Sequence, residues 1–335
     1  MRLMFTALVV LALGWSIYWA IGSGAGQKGL ETWFEAREAE GWVAEYSEMS
    51  VEGFPNRFDA KFEDLALADP DTGLAWEAPH FEILALSYQP NHLIAVWPDS
   101  QRIATPLAKY DVTSDDMRAS LRVAPQSDLA LNELTLTAKT LTVAELGQTE
   151  TARLDSLTLA AEKAPSGDLP RYRLGVQADG FTPSDAWQKH LDPNGRLPEK
   201  LDQMRIDMTV EFDKPWNISA IEEARPQPRM IDLKSAEAQW GQLALAMAGK
   251  VTVDDQGQPE GDITIKARNW RDILQLAREA EALPPSLADT AESALSLLAQ
   301  MSGNPTTLDI PLTLRGGRVW LGPAPLGPAP VLRLR

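Results

Sequence analysis

The alternation of apolar and polar positions changes character along the chain. Residues 4–21, MFTALVVLALGWSIYWAI, are apolar on every face. As a helix rising about 1.5 Å per residue this run is roughly 27 Å long, close to the hydrocarbon thickness of a bilayer. It predicts a transmembrane anchor carried by Met4, Leu8, Leu11, Trp15, Tyr18, Trp19 and Ile21, with the three rings suited to the outer interface. Ala20 and Gly22 would also serve as small residues at a processing site, so an uncleaved anchor is the expectation and cleavage the alternative. A buried core helix is the remaining reading, but a uniformly apolar helix at residue 4 has little to bury itself in. Gly22-Ser-Gly-Ala-Gly26 reads as a joint. Beyond it Leu30, Trp33, Phe34 and Arg37 keep helical spacing as far as a stop at Gly41.

From Val51 the period becomes two, and a heptamer recurs: an apolar residue, two others, then Leu-x-Leu. It appears as FEDLALA, FEILALS, LNELTLT and LDSLTLA, beginning at Phe62, Phe81, Leu131 and Leu154. Each copy shifts phase in its middle, as in a strand with a bulge or bend. Stacked copies describe a curved antiparallel meander. Its inward positions, Phe62, Leu65, Leu67, Phe81, Leu84, Leu86, Leu134, Leu136, Leu157, Leu159 and Trp240, are candidates to line an apolar groove. The runs 172–178 and 204–212 alternate strictly, as half-buried strands with one wet face.

Helices interrupt the strands. Ser184 suits the cap of a short segment through His190, Asn269 the cap of residues 270–283, and Ser286 with Asp289 a capping box for residues 287–301. Pro284-Pro285 would join the last two into a helical hairpin, 270–301, ended by Gly303. Such a pair must cover an apolar sheet face or plug an opening, which makes Trp270, Ile273, Leu274, Leu295 and Leu298 a candidate lid. Leu308, Ile310, Leu312 and Leu314 alternate as an edge strand, and GPAPLGPAP from Gly322 reads as an extended strap. The fold class is therefore mainly β with a few helices, α+β. Its expected parts are an anchor and linker over 1–26, a first β-rich subdomain over 27–164 and a second over 165–335.

Charge and composition narrow the chemistry. A net charge of −16 opposes nucleic acid and anionic lipid headgroups. Without cysteine there are no disulfides, no thiolate catalysis and no lipidated thiol, so the helix is the only tether. His80, His92 and His190 show no i, i+4 pairing for a metal, and there is no G-x-S-x-G elbow. The acids at 254–261 read as a solvated turn, since the EF-hand register is missing. Neither an enzyme nor a cofactor is expected. Trp76, Trp97, Trp216, Trp240 and Trp320 lie in or beside strands, as core or as the lining of a groove for an acyl chain.

Four stretches carry a resemblance: GFPNRFDAKFEDLALAD from Gly53, WEAPHFEILALSYQPNHLIAVWP from Trp76, GQPEGDITIKARNWRDIL from Gly257 and GGRVWLGPAPLGPAP from Gly316. They resemble an uncharacterised family of bacterial membrane-anchored proteins, domain of unknown function 2125, which brings no activity and no site residues. In outline, an anchor followed by stacked Leu-x-Leu strands is similar to AsmA-like envelope proteins, whose grooved β structure is associated with lipid handling. With Arg2 ahead of the run and no other basic residue before Lys28, the resemblance implies a single-pass protein of the bacterial inner membrane, its bulk periplasmic. Two functions stay open. One is a binding module holding a lipid or other apolar ligand in its groove; the other is an assembly factor that grips an envelope protein through a sheet edge or the Gly-Pro tail.

Overall fold

The computed structural model describes every residue except 127, 149, 150, 166, 281–284, 303–305 and 335, and all but the side chains of 221, 222, 285–287, 290, 301 and 302. An N-terminal apolar helix leads into antiparallel strands with a few short helices, the mainly β architecture that the alternation predicts. The chain forms two compact units. Unit 1 comprises Met1–Pro125 and Leu136–Thr149; unit 2 comprises Gln126–Thr135 and Glu150–Arg335. This division differs from one near residue 164, which falls inside unit 2.

Unit 1 holds α1 (Arg2–Ala39), β1 (Val43–Glu45), β2 (Glu48–Glu52), β3 (Arg57–Asp69), β4 (Leu74–Leu86), β5 (Gln89–Val96), β6 (Ser100–Ala104), β7 (Lys109–Thr113), β8 (Asp116–Val123) and most of β9 (Leu131–Glu145). The expected joint at Gly22–Gly26 does not exist: α1 runs through it unbroken. Each glycine disfavours helix locally by about 1 kcal/mol, but tertiary contacts outweigh that cost. Phe34 is buried among Ala44, Ala60, Phe62 and Leu65, and a Cβ on Gly22 would stand 2.5 Å from the Phe58 ring, so glycine permits the close approach. Trp15 Nε1 donates to Pro55 O at 2.8 Å, Tyr18 Oη to Ser87 O at 2.6 Å and Trp19 Nε1 to Arg57 O at 2.7 Å. The helix stops at Gly41, φ +90°, as expected.

The phase shift of the heptamer is real in its first copy. Asp64 adopts a left-handed φ of +49°, which lets Phe62 and Leu65 both be buried. The second copy stays straight. Phe81 faces Phe62, while Leu84 and Leu86 pair with Asp59 and Arg57 on the opposite side.

Unit 2 is a meander in which each strand pairs with the next: β10 (Thr151–Lys163), β11 (Arg171–Thr182), β12 (Leu201–Phe212), β13 (Pro228–Trp240), β14 (Leu243–Val253), β15 (Pro259–Arg268), β16 (Thr307–Arg315), β17 (Arg318–Leu321) and β18 (Ala324–Pro328). Among the described residues four helices interrupt it: α2 (Asp185–Leu191), α3 (Ile218–Glu222), α4 (Trp270–Glu279) and α5 (Pro285–Ser302). Period-two alternation gives the sheet two unlike faces. One carries Tyr172, Val210, Ile231 and Val251 in register, then Val176 beside Ile206 and Ile265 beside Ile310. The other carries ion pairs, among them Arg171 with Glu211 and Arg173 with Asp207 at 2.8 Å.

At one end of the apolar face, α4 and α5 bury Trp270, Leu274, Leu295 and Ala299 against Ala267, Leu308 and Leu321. Ser184 caps α2 as expected, accepting from Trp187 N. Asn269 stands at the N-cap of α4 as expected, but its side chain makes no capping bond: its backbone is left-handed, and its Nδ2 donates to Gln242 O at 2.8 Å. Pro284, Gly303 and the Ser286 side chain lie outside the described residues. The Gly-Pro stretch is not a polyproline strap. It turns back as β18, where Pro325 pairs with Trp320 and Gly327 with Val319.

Candidate functional site

At the other end of the same apolar face, unit 2 contains a cavity of about 610 Å³. Its floor is Leu174, Met208, Val210 and Ile231, presented by three neighbouring strands, and Leu131, Leu134 and Trp216 form a wall. The wall is rigid. Trp216 donates its N–H to the buried Tyr172 hydroxyl at 3.2 Å and accepts from Leu131 N at 2.7 Å, while its ring meets Phe212 edge-on at 5.6 Å. Burial holds the Tyr172 hydroxyl above the ordinary tyrosine range, the Trp216 N–H pulling the other way.

The chain's own C-terminus crosses the remaining side. Val331, Leu332, Arg333 and Leu334 line the cavity, held by Leu332 N to Gly257 O at 2.8 Å and by two bonds between Gln227 and the Leu334 backbone. A Cβ on Gly257 would stand 2.9 Å from Val331, so this tight seat needs glycine. Among the described residues Arg333 is the one charged member of the lining.

A second apolar cavity, about 250 Å³, lies toward the helical hairpin. Trp240, Leu243 and Leu245 line it together with Ile273, Leu276 and Ala277 of α4. Register joins the two. From the Leu174–Met208 pair the face continues through Val176–Ile206 to Ala178–Met204, a run of about 13 Å at ~3.3 Å per residue. It is partly bare, since Leu159 and Met204 are 37% and 38% exposed.

The residues singled out from the sequence are therefore dispersed. Leu134 lines the large cavity, and Trp240 meets Ile273 in the small one. Leu157 and Leu159 lie on the connecting face, paired with Ala178 and Val176. Phe62, Leu65, Leu67 and Phe81 surround Phe34 in the filled core of unit 1, Leu136 is half-buried in that unit, and Leu84 and Leu86 take the other side of β4. Of the candidate lid, Trp270, Leu274, Leu295 and Leu298 pack in one cluster with the sheet. Trp216, one of the tryptophans that the sequence offers as core or groove lining, does line the large cavity, whereas Tyr172, Met208, Val210, Phe212 and residues 331–334 were not among the sequence candidates, although 172–178 and 204–212 alternate plainly.

Among the described residues no group of three His, Asp or Glu side chains is arranged to hold a metal ion, and His92 bonds to Ser120 Oγ at 2.9 Å. By length and composition α1 is the one described helix able to cross a membrane. A family model described as an uncharacterised protein conserved in bacteria (DUF2125) matches residues 19–330. No curated protein and no solved structure matches the chain.

Proposed function

The chain belongs to this uncharacterised bacterial family, and we propose from its own geometry that it is a membrane-anchored envelope protein that holds the acyl chain of a lipid on the apolar face of unit 2. The observation that carries this reading is the cavity of about 610 Å³, within the range of small-molecule sites, walled by fixed aromatic rings and continued by a bare apolar strip. Mechanistically the protein is passive. Each CH₂ buried in the cavity is worth about 0.8 kcal/mol relative to water, roughly what the same group gains in the bilayer, so a chain can exchange between membrane and cavity without an energy source. Arg333 at the rim supplies a cation for an anionic headgroup, and the single Arg2 before the apolar run favours export of both units.

The test is photocrosslinking of the full-length protein in membranes with a diazirine fatty acid, mapped by peptide mass spectrometry. Label is expected on the segments bearing Leu174, Met208 and Val331. Leu134→Asp or Met208→Asp, which put a charge into the cavity, should reduce that label at least tenfold while labelling of α1 is unchanged. Label confined to α1 in the parent protein would sink the proposal.

A further inference from the structure

The apolar part of α1 meets unit 1 before it has travelled a bilayer's width. Trp15 is the first ring to bond to the strand connections, at Pro55 O, and Tyr18 and Trp19 follow within a turn. From the charge of Arg2, which belongs at an interface, to the ring of Trp15 the helix rises about 20 Å, against roughly 30 Å of hydrocarbon. The shortfall of about 10 Å corresponds to about two helical turns, and those turns carry Trp15, Tyr18 and Trp19.

We infer that the end of unit 1 built from the β2–β3 and β4–β5 connections is seated in the interface of the bilayer that α1 spans, an inference that rests on the reading of α1 as an anchor. Three further observations support it. The side chains around the helix at this level are apolar and exposed: Phe54 57%, Tyr88 65% and Leu86 37%. In a chain with 47 acidic residues, neither 53–58 nor 86–91 contains one, and the lone charge, Arg57, is paired with Asp59 at 2.9 Å. Finally, the ring donors cap loop carbonyls. Pro55 O, Arg57 O and Ser87 O each accept from an indole or phenol of α1, which lowers the cost of carrying these groups out of water. Trp, Tyr and Arg at one level is the composition of an interfacial belt, here assembled from both the helix and the domain it carries. Bilayer thinning is the alternative way to meet a short span, but it would leave Phe54 and Tyr88 in water.

Because the chain has no cysteine, single nitroxide labels can be placed on the full-length protein in phosphatidylcholine nanodiscs. Val9→Cys reports the anchor, and Phe54→Cys and Tyr88→Cys report the seat. Leu107→Cys reports the far end of the strands, beside Pro106, which packs on Gly73 at the opposite end of β4. All four side chains are exposed, and circular dichroism checks that each labelled protein is folded. Collision with a water-soluble nickel chelate, relative to oxygen, should be several-fold lower at 54 and 88 than at 107, and lowest at 9. Protection at 9 with 54 and 88 as accessible as 107 overturns the seat while leaving the anchor intact. Access at 9 equal to that at 107 overturns the anchor and the seat together.

Discussion

In unit 1 the apolar side of β3 and β4 is closed by α1, whose Phe34 is 5% exposed among Ala44, Ala60, Phe62 and Leu65. In unit 2 no helix among the described residues of that unit lies along the middle of the apolar face, and Leu159 and Met204 on it are 37% and 38% exposed. The strands themselves are alike in composition. What separates a core from a cavity is thus which remote segment returns to cover the sheet: one end of the unit 2 face receives α4 and α5, while residues 331–334 lie at the other.

The contrast can be broken most severely at Phe34. Phe34→Ala removes the ring that fills unit 1 and should cost about 3–5 kcal/mol, read as lost hydrogen-exchange protection in β3 and β4 with that of β11 and β12 retained. A paired enlargement sharpens it. Ala60→Leu overfills a closed core and should destabilise unit 1 by about 1–3 kcal/mol. Ala161→Leu enters the large cavity and should shift the melting temperature little while reducing acyl labelling. Equal destabilisation by the two would mean that the cavity cannot accept atoms.

The smallest effect concerns the wall. Tyr172→Phe leaves the Trp216 N–H without its acceptor, at a cost of about 1 kcal/mol in thermal or chaotrope unfolding. The same hydroxyl makes an alkaline prediction. Burial first, and Asp128 in smaller part, raise it in the folded protein against the Trp216 N–H, so the unfolded chain loses this proton at lower pH than the folded one. Its contribution is fully present below the unfolded tyrosine value of about 10 and is lost as pH rises through the higher folded value. Tyr172→Phe should flatten that part of the stability profile.

Much of the architecture was legible because it is written locally. The apolar run, the strict alternation at 172–178 and 204–212, the Ser184 cap and the helical pair all depend on near neighbours in the chain. The helical course of Gly22–Gly26 was not, because local propensity argues against it and the Phe58 ring that rewards a bare backbone lies far along the sequence. The heptamer likewise could not say which side Leu84 would take, since only the left-handed Asp64 in its sister copy shifts the phase. Leu134 was found and Met208 was not, although both are apolar positions of alternating strands. The difference between them is where the C-terminus lies down, and Gly257 and Gln227 set that by contacts 75 to 107 residues away in the chain.

A flexible tether would give its cargo a location and nothing more. In α1 the same rigid rod continues from its bare apolar turns to Phe34 in the middle of a core, clasped on the way by three ring donors. Unit 1 therefore inherits direction as well as place: any tilt or rotation imposed on the first turns is transmitted as a lever is, and the unit keeps one bearing toward whatever surface holds them.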